Sequence, residues 1–218
     1  MPPKELFILP ISHIAPESRS RVREEMNRIA PDILAIELDP QRLIALLEER
    51  RTGKRKANFS LFHLREFLLV FVLSKIQKFL AEKISQTPGE EFLVGIDSAV
   101  ERRIPVALVD RDISVTVKRL LSELRLPVIG HLIWFSLFGK GGKIEIDIAR
   151  VPEERIVRKL LFQLKREFPG IYKALVSERD AFIAGEIGKI PEEKRVLLIV
   201  GAAHVPGLRR KFPEAKIL

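Results

Sequence analysis

The sequence contains no cysteine. That absence excludes a disulfide scaffold, a thiolate metal site and a cysteine nucleophile. Side-chain amides are scarce as well. Two Asn and four Gln stand against 38 Lys+Arg and 29 Asp+Glu in 218 residues. Few thermolabile amides beside many ion-forming side chains is the bias of thermophile proteins, so a thermophilic prokaryotic source is expected. Long apolar runs are missing. The longest, Phe67–Leu73, falls far short of the ~20 residues that span a bilayer. Lys4 and Glu5 interrupt any early apolar stretch, which argues against a signal peptide. The expectation is a cytoplasmic protein with, at most, peripheral membrane contact.

Aromatic residues make up only 7% of the chain, with one Trp and one Tyr. This matters for reading the net charge of +9, a balance that commonly serves nucleic acid or anionic membrane. The basic residues are scattered along amphipathic segments. Their densest run, Glu49–Lys56, reads as a solvated loop. There is no zinc knuckle, no RNP-type strand and no interleaving of aromatics with basic residues, so nucleic acid is not expected as a partner.

What is present is a core-forming chain, 46% hydrophobic, with strand–helix alternation. Strands are expected at Leu6–Leu9, Ile33–Leu38, Pro105–Val109 and Arg195–Val200, with "AKIL" as a last short strand. Helices are expected between them, several opened by Pro (Pro16, Pro40, Pro152). No repeat and no linker divides the chain. The reading is one α/β domain over residues 1–218: a mainly parallel sheet flanked by helices, with a helical insertion around 59–101.

The candidate site follows from this order. His13, Glu37, Asp39, Asp110, Arg111 and His204 all fall at or just past C-terminal strand ends. In an open parallel sheet those ends share one edge, where ligands bind. Two histidines with several carboxylates there suit either a metal or acid–base chemistry. Blander roles compete. Asp39 and Asp110 could cap the helices that follow them. Glu37 is harder to dismiss, because it ends a strand of Ile, Leu and Ala, where a carboxylate needs a partner. His204 follows Gly201 in a strand–Gly–x–x–His pattern, a turn that can aim backbone N–H groups at an anion. Arg179 falls at the centre of an apolar helical stripe of Tyr172, Leu175, Val176, Phe182 and Ile183. An inward guanidinium requires a carboxylate or a ligand. Glu91 sits in the first turn of its helix, where the dipole favours any acid.

Four ordered blocks carry a resemblance: "ISHIAPESRSRVREEMNRIAPDILAIELDPQRLIALL", "PGEEFLVGIDSAVERRIPVALVDRDISVTVKRL", "SERDAFIA" and "VGAAHVPGL". Together they resemble the TraB/PrgY/GumN family, which includes pheromone-shutdown and Tiki-like proteins and belongs to a wider group resembling erythromycin esterases and ChaN-type lipoproteins. The resemblance implies a metal-dependent hydrolase of the peptidase type, acting on a peptide or protein. His13, His204 and Glu37 would hold a divalent ion such as Mn, Co or Zn, with Glu91 as the second choice of carboxylate. Asp110, Arg111 and Arg179 match further family blocks, and an arginine would stabilise the oxyanion. The chain departs from the family at its first motif, which reads Pro10-Ile11-Ser12-His13, with Pro where the family has Gly. Pro fixes φ and removes an N–H donor, so the turn must differ there. Two other readings stand beside the metallohydrolase: a metal-free His/Glu hydrolase, and a non-enzymatic protein that sequesters peptides.

Overall fold

A computed structural model of the chain describes residues 5–11, 17–53, 89–124, 127–128, 130–131 and 154–218. Five strands form a single sheet: β1 (Glu5–Ile11), β2 (Ile33–Ile36), β3 (Val106–Leu108), β4 (Arg195–Gly201) and β5 (Lys216–Ile217). Their order is β3-β2-β4-β1-β5, and every pairing is parallel. The fold is α/β. Because all strands run the same way, all their C-terminal ends lie on one edge. The strand β1 pairs directly with β4, with Leu6 beside Val196 and Ile11 beside Gly201.

Alternation along the strands builds two cores, one on each face of the sheet. In β4, Val196, Leu198 and Val200 face one way, with Leu6 and Ile8 of β1. Leu197 and Ile199 face the other, with Leu9 and Ile11. The second face is covered by α1 (Glu17–Ile29), through Val22, Met26 and Ile29, and by α3 (Glu90–Glu101), through Phe92 and Ala99. At Gly95 in α3, an added Cβ would come 3.0 Å from the Ile199 side chain, so the helix lies close on the sheet. The C-terminal part of the expected insertion is thus a helix of the sheet layer. The rest of it, residues 59–88, lies outside the described residues, as do Trp134 and its neighbours.

The first face is covered by α7 (Glu178–Ile187) and α8 (Val205–Lys211), through Ile183, Ile187, Val205 and Leu208. In the chain, α4 (Ile113–Glu123), α5 (Glu154–Glu167) and α6 (Pro169–Tyr172) follow β3 and precede α7. The remaining helix, α2 (Pro40–Thr52), follows β2. Asp39 caps α2, its Oδ1 accepting from the N–H groups of Gln41 and Arg42 at 2.9 and 3.1 Å. Gly53 closes the same helix in the left-handed conformation, φ 63°, which suits a residue without Cβ. The cap of α4 is Asp112, whose Oδ1 accepts from Ser114 N–H at 2.7 Å; Asp110 does not serve that role. Among the described residues, no helix is long and apolar enough to cross a membrane.

The helix from Pro169 to Ile187 is not regular. Residues Lys173–Ser177 form a π-turn, in which Glu178 N–H donates to the carbonyl of Lys173, five residues back. The extra residue breaks the 100° period assumed for the Arg179 stripe. Phe182, expected on the buried stripe, is 40% exposed, while Ala174 and Asp180 are buried.

Candidate active site at the sheet edge

Strand periodicity aims Glu37. Ala35 of β2 faces the α7/α8 side, and Glu37 follows it by two residues, so its side chain leaves the strand end toward the same side. There it meets α7. Arg179 Nη2 donates to Glu37 Oε1. The same guanidinium holds Asp110, which follows β3, with Nη2 to Oδ2 at 2.5 Å and Nε to Oδ1 at 3.1 Å. This is the bidentate fork that arginine provides and lysine does not. Arg42 of α2 adds a bond from Nη1 to Asp110 Oδ2 at 3.1 Å, with its side chain still 31% exposed.

His204 enters from the other side of Glu37. It ends the short 3-10 turn Ala202–His204 after β4. Its Nε2 lies 3.2 Å from Glu37 Oε1, and its Nδ1 donates to Asp180 Oδ1 at 2.6 Å. Both ring nitrogens therefore face carboxylates, which is the environment of an imidazolium. The anion met by the strand–Gly–x–x–His turn is internal: Gly201 N–H donates to Glu37 Oε2 at 2.6 Å. Gly207 in α8 leaves the space in which Asp180 sits, since a Cβ there would lie 1.8 Å from Asp180 Oδ2.

These contacts set the charges. Burial disfavours a charged Glu37, but His204, Arg179 and the Gly201 N–H outweigh it and hold the carboxyl well below the usual range. Burial also disfavours a charged His204. The carboxylates of Glu37 and Asp180 outweigh this and raise its pKa to about 9. Arg179 is likewise raised above its ordinary value, burial opposing and Asp110 and Glu37 prevailing. The site is a chain of alternating acidic and basic side chains: Asp180, His204, Glu37, Arg179, Asp110, Arg42.

Of the residues singled out in the sequence, Glu37, Asp110, Arg179 and His204 are brought together here. Arg111 touches the cluster only through its backbone, N–H to Asp110 Oδ1 at 2.9 Å. Its guanidinium turns to Thr116, Glu178 and the carbonyl of Ala174. Glu91 is buried in the first turn of α3, on the opposite layer, and accepts the Gly89 N–H at 3.2 Å. His13 lies outside the described residues. Asp39 works mainly as a helix cap, and among the described residues its buried Oδ2 has no hydrogen-bond partner. Asp180 was legible as a flank of the Arg179 stripe and as part of the SERDAFIA block, whereas sequence reasoning passed over Arg42 and Gly207. The spacing Asp39-x-x-Arg42 is the signal that could have found Arg42, because it returns a guanidinium to the strand edge one turn into α2. Gly207 offered no pattern, since its role is a tertiary contact.

For the divalent ion implied by the resemblance, the donors matter. In this arrangement both nitrogens of His204 are occupied by carboxylates, and Glu37 is held by Arg179, His204 and Gly201. Among the described residues, no group of three or more His, Asp or Glu side chains is arranged to hold a metal. A ligating His must offer a free lone pair, so an ion at His204 would have to displace this network.

An all-parallel α/β sheet with a buried acid–base cluster at its C-terminal edge defines the class of protein. Comparison with known sequences then gives the family. An uncharacterized protein of Methanocaldococcus jannaschii is 28% identical over 94% of the chain and 53% of its own length. TraB domain-containing proteins of Bos taurus and Homo sapiens are 26% and 25% identical over 95% of the chain, which covers 62% of each of them. No family model matches the chain. The chain belongs to the TraB family, and it spans between half and two thirds of the length of these relatives.

Proposed function

We propose that this chain is the hydrolytic domain of a TraB-type enzyme, cleaving a peptide or protein substrate by acid–base catalysis through Glu37 and His204. The observation that carries the reading is the His204 imidazole gripped between Asp180 and Glu37 at the edge where open parallel sheets bind ligands. In the resting site Glu37 is the anion and His204 the cation. Water attacking the scissile carbonyl gives a proton to Glu37. His204 gives its Nε2 proton to the leaving amine. Transfer from Glu37 to His204 across 3.2 Å restores the pair. Asp180 holds the ring by its other nitrogen, and Arg179 holds Glu37 and Asp110 in register. The Arg42 side chain is partly exposed, and its guanidinium would meet the anion that develops on the carbonyl oxygen.

The metal-dependent form of the same reading assigns the ion to His13, His204 and Glu37, where it would polarise the carbonyl or the attacking water. One experiment separates the two. The purified chain is incubated with a peptide pool, with chelator or with added Mn²⁺, and new amino termini are followed by mass spectrometry. Chelator-resistant cleavage that falls at least a hundredfold in Glu37→Gln and His204→Gln supports the acid–base form. Cleavage only with Mn²⁺, matched by Mn²⁺ uptake in calorimetry, supports the metal form. No cleavage under either condition, or cleavage unchanged in both variants, removes the hydrolase reading in favour of peptide sequestration.

A further inference from the structure

The π-turn stands directly before the residues that complete the site. Lys173–Ser177 ends where Glu178, Arg179 and Asp180 begin. A π-turn interrupts the i→i−4 ladder and is less favourable than regular helix, so it persists where other contacts hold it. Two of its carbonyls receive guanidinium groups. Arg111 Nη2 donates to Ala174 O at 2.7 Å, and Arg179 Nη1 donates to Leu175 O at 3.4 Å. Arg111 is fixed on its other sides. Its Nε donates to Thr116 Oγ1 at 2.9 Å, its Nη1 to Glu178 Oε2 at 2.9 Å, and its backbone N–H to Asp110 Oδ1 at 2.9 Å. The Arg111 side chain is 11% exposed and Thr116 is buried. One residue therefore joins the end of β3, the first turn of α4, the Ala174 carbonyl inside the π-turn and Glu178 just after it. Regular helix through the same stretch would rotate Ala174 away from the side that Arg179 occupies, because five residues at 100° each leave the two far apart around the axis.

We propose that Arg111 is a positioning residue: it splints the π-turn through the Ala174 carbonyl and Glu178, and so sets the register in which Arg179 reaches Glu37 and Asp110, and Asp180 reaches His204. The assignment rests on the acid–base reading for its functional meaning and on geometry alone for its structural content. Arg111 touches none of the reacting groups with its side chain; it acts through α7. Glu178 has a second partner, Arg119, whose Nε donates to its Oε1 at 3.1 Å. Arg119 makes no bond to the π-turn carbonyls, which makes it the internal control.

The test reads solvent exchange of the Arg179 Nε–H by ¹⁵N NMR. This proton is held by Asp110 Oδ1. The whole chain is used and no substrate is needed. In Arg111→Ala, Arg179 Nε–H exchange is expected to accelerate at least tenfold, while the amides of Leu197, Leu198 and Ile199 in β4 stay as protected as in the wild type. Arg119→Ala is expected to leave the Arg179 signal within twofold. If Arg111→Ala does not fold, Arg111→Lys carries the test, because one ammonium cannot serve Thr116, Glu178 and Ala174 at once. Exchange within twofold of wild type in a folded Arg111 variant overturns the proposal. An equal acceleration in Arg119→Ala also overturns it, since the effect would then belong to the Glu178 ion pair. The outcome is separable from the hydrolase reading. Loosening of Arg179 in a chain that cleaves nothing leaves the splint standing and removes the hydrolase. Cleavage with an unmoved Arg179 signal does the reverse.

Discussion

Raising the pH through the titration of His204 should destabilise this protein. The folded pKa of His204 is raised to about 9 from 6.5. A group whose pKa is higher in the folded state binds its proton more tightly there. Its contribution is fully present below about pH 6.5 and is lost as the pH rises through about 9. Between those values the folded chain holds one proton that the unfolded chain has released. Unfolding free energy should then fall by about 1.4 kcal/mol per pH unit, about 3 kcal/mol in all. The His204 side chain is only 4% exposed, so solvent screening does not dilute the effect. The assay is guanidinium unfolding at half-unit steps from pH 6 to pH 10, on the wild type and on His204→Gln. Subtracting the two profiles removes the other histidines. A difference profile that is flat, or that rises with pH, would refute the argument that Glu37 and Asp180 hold an imidazolium.

Two further substitutions probe the same network. Arg179→Met removes the cation shared by two carboxylates that are almost fully buried and should cost about 3–5 kcal/mol; a loss under 1 kcal/mol in denaturant unfolding would show that the ion cluster is not maintained in solution. Gly207→Ala puts a Cβ 1.8 Å from Asp180 Oδ2 and should cost about 1–3 kcal/mol despite alanine's better helix propensity. Because the displaced carboxylate is the Nδ1 partner of His204, the pH-dependent loss described above should also shrink in that variant, and an unchanged pH profile would place Asp180 outside the control of His204.

Much of the architecture was legible because period and punctuation agree over most of the chain. The apolar runs at Leu6, Ile33 and Arg195, with Pro and Asp opening helices after them, yield strands and helices within a few residues of their true ends. The buried-strand pattern also implies a parallel sheet, and a parallel sheet puts Glu37, Asp110 and His204 on one edge whatever the strand order. Glu37 announced itself by chemistry, since a carboxylate closing an Ile-Leu-Ala strand needs partners. Arg179 did so by its place in a helical stripe. The same 100° arithmetic misjudged Phe182, because no local signal marks the π-turn at Lys173–Ser177. That turn is held by Arg111, which lies more than sixty residues earlier in the chain.

The sequence by itself determined which residue types arrive at the sheet edge, because strand ends and side-chain alternation are local properties with periods of 2 and 3.6 residues. Only the tertiary structure decided what those residues do to one another. It set β1 beside β4, turned the guanidinium of Arg111 away from the cluster, brought Asp180 inward against a glycine that leaves room for it, and closed both nitrogens of His204 with carboxylates. Each of these depends on contacts between segments 24 to 190 residues apart. At such separations no local propensity specifies a partner, and the choice is made by which pairs of buried charges the packed helices bring within hydrogen-bond reach.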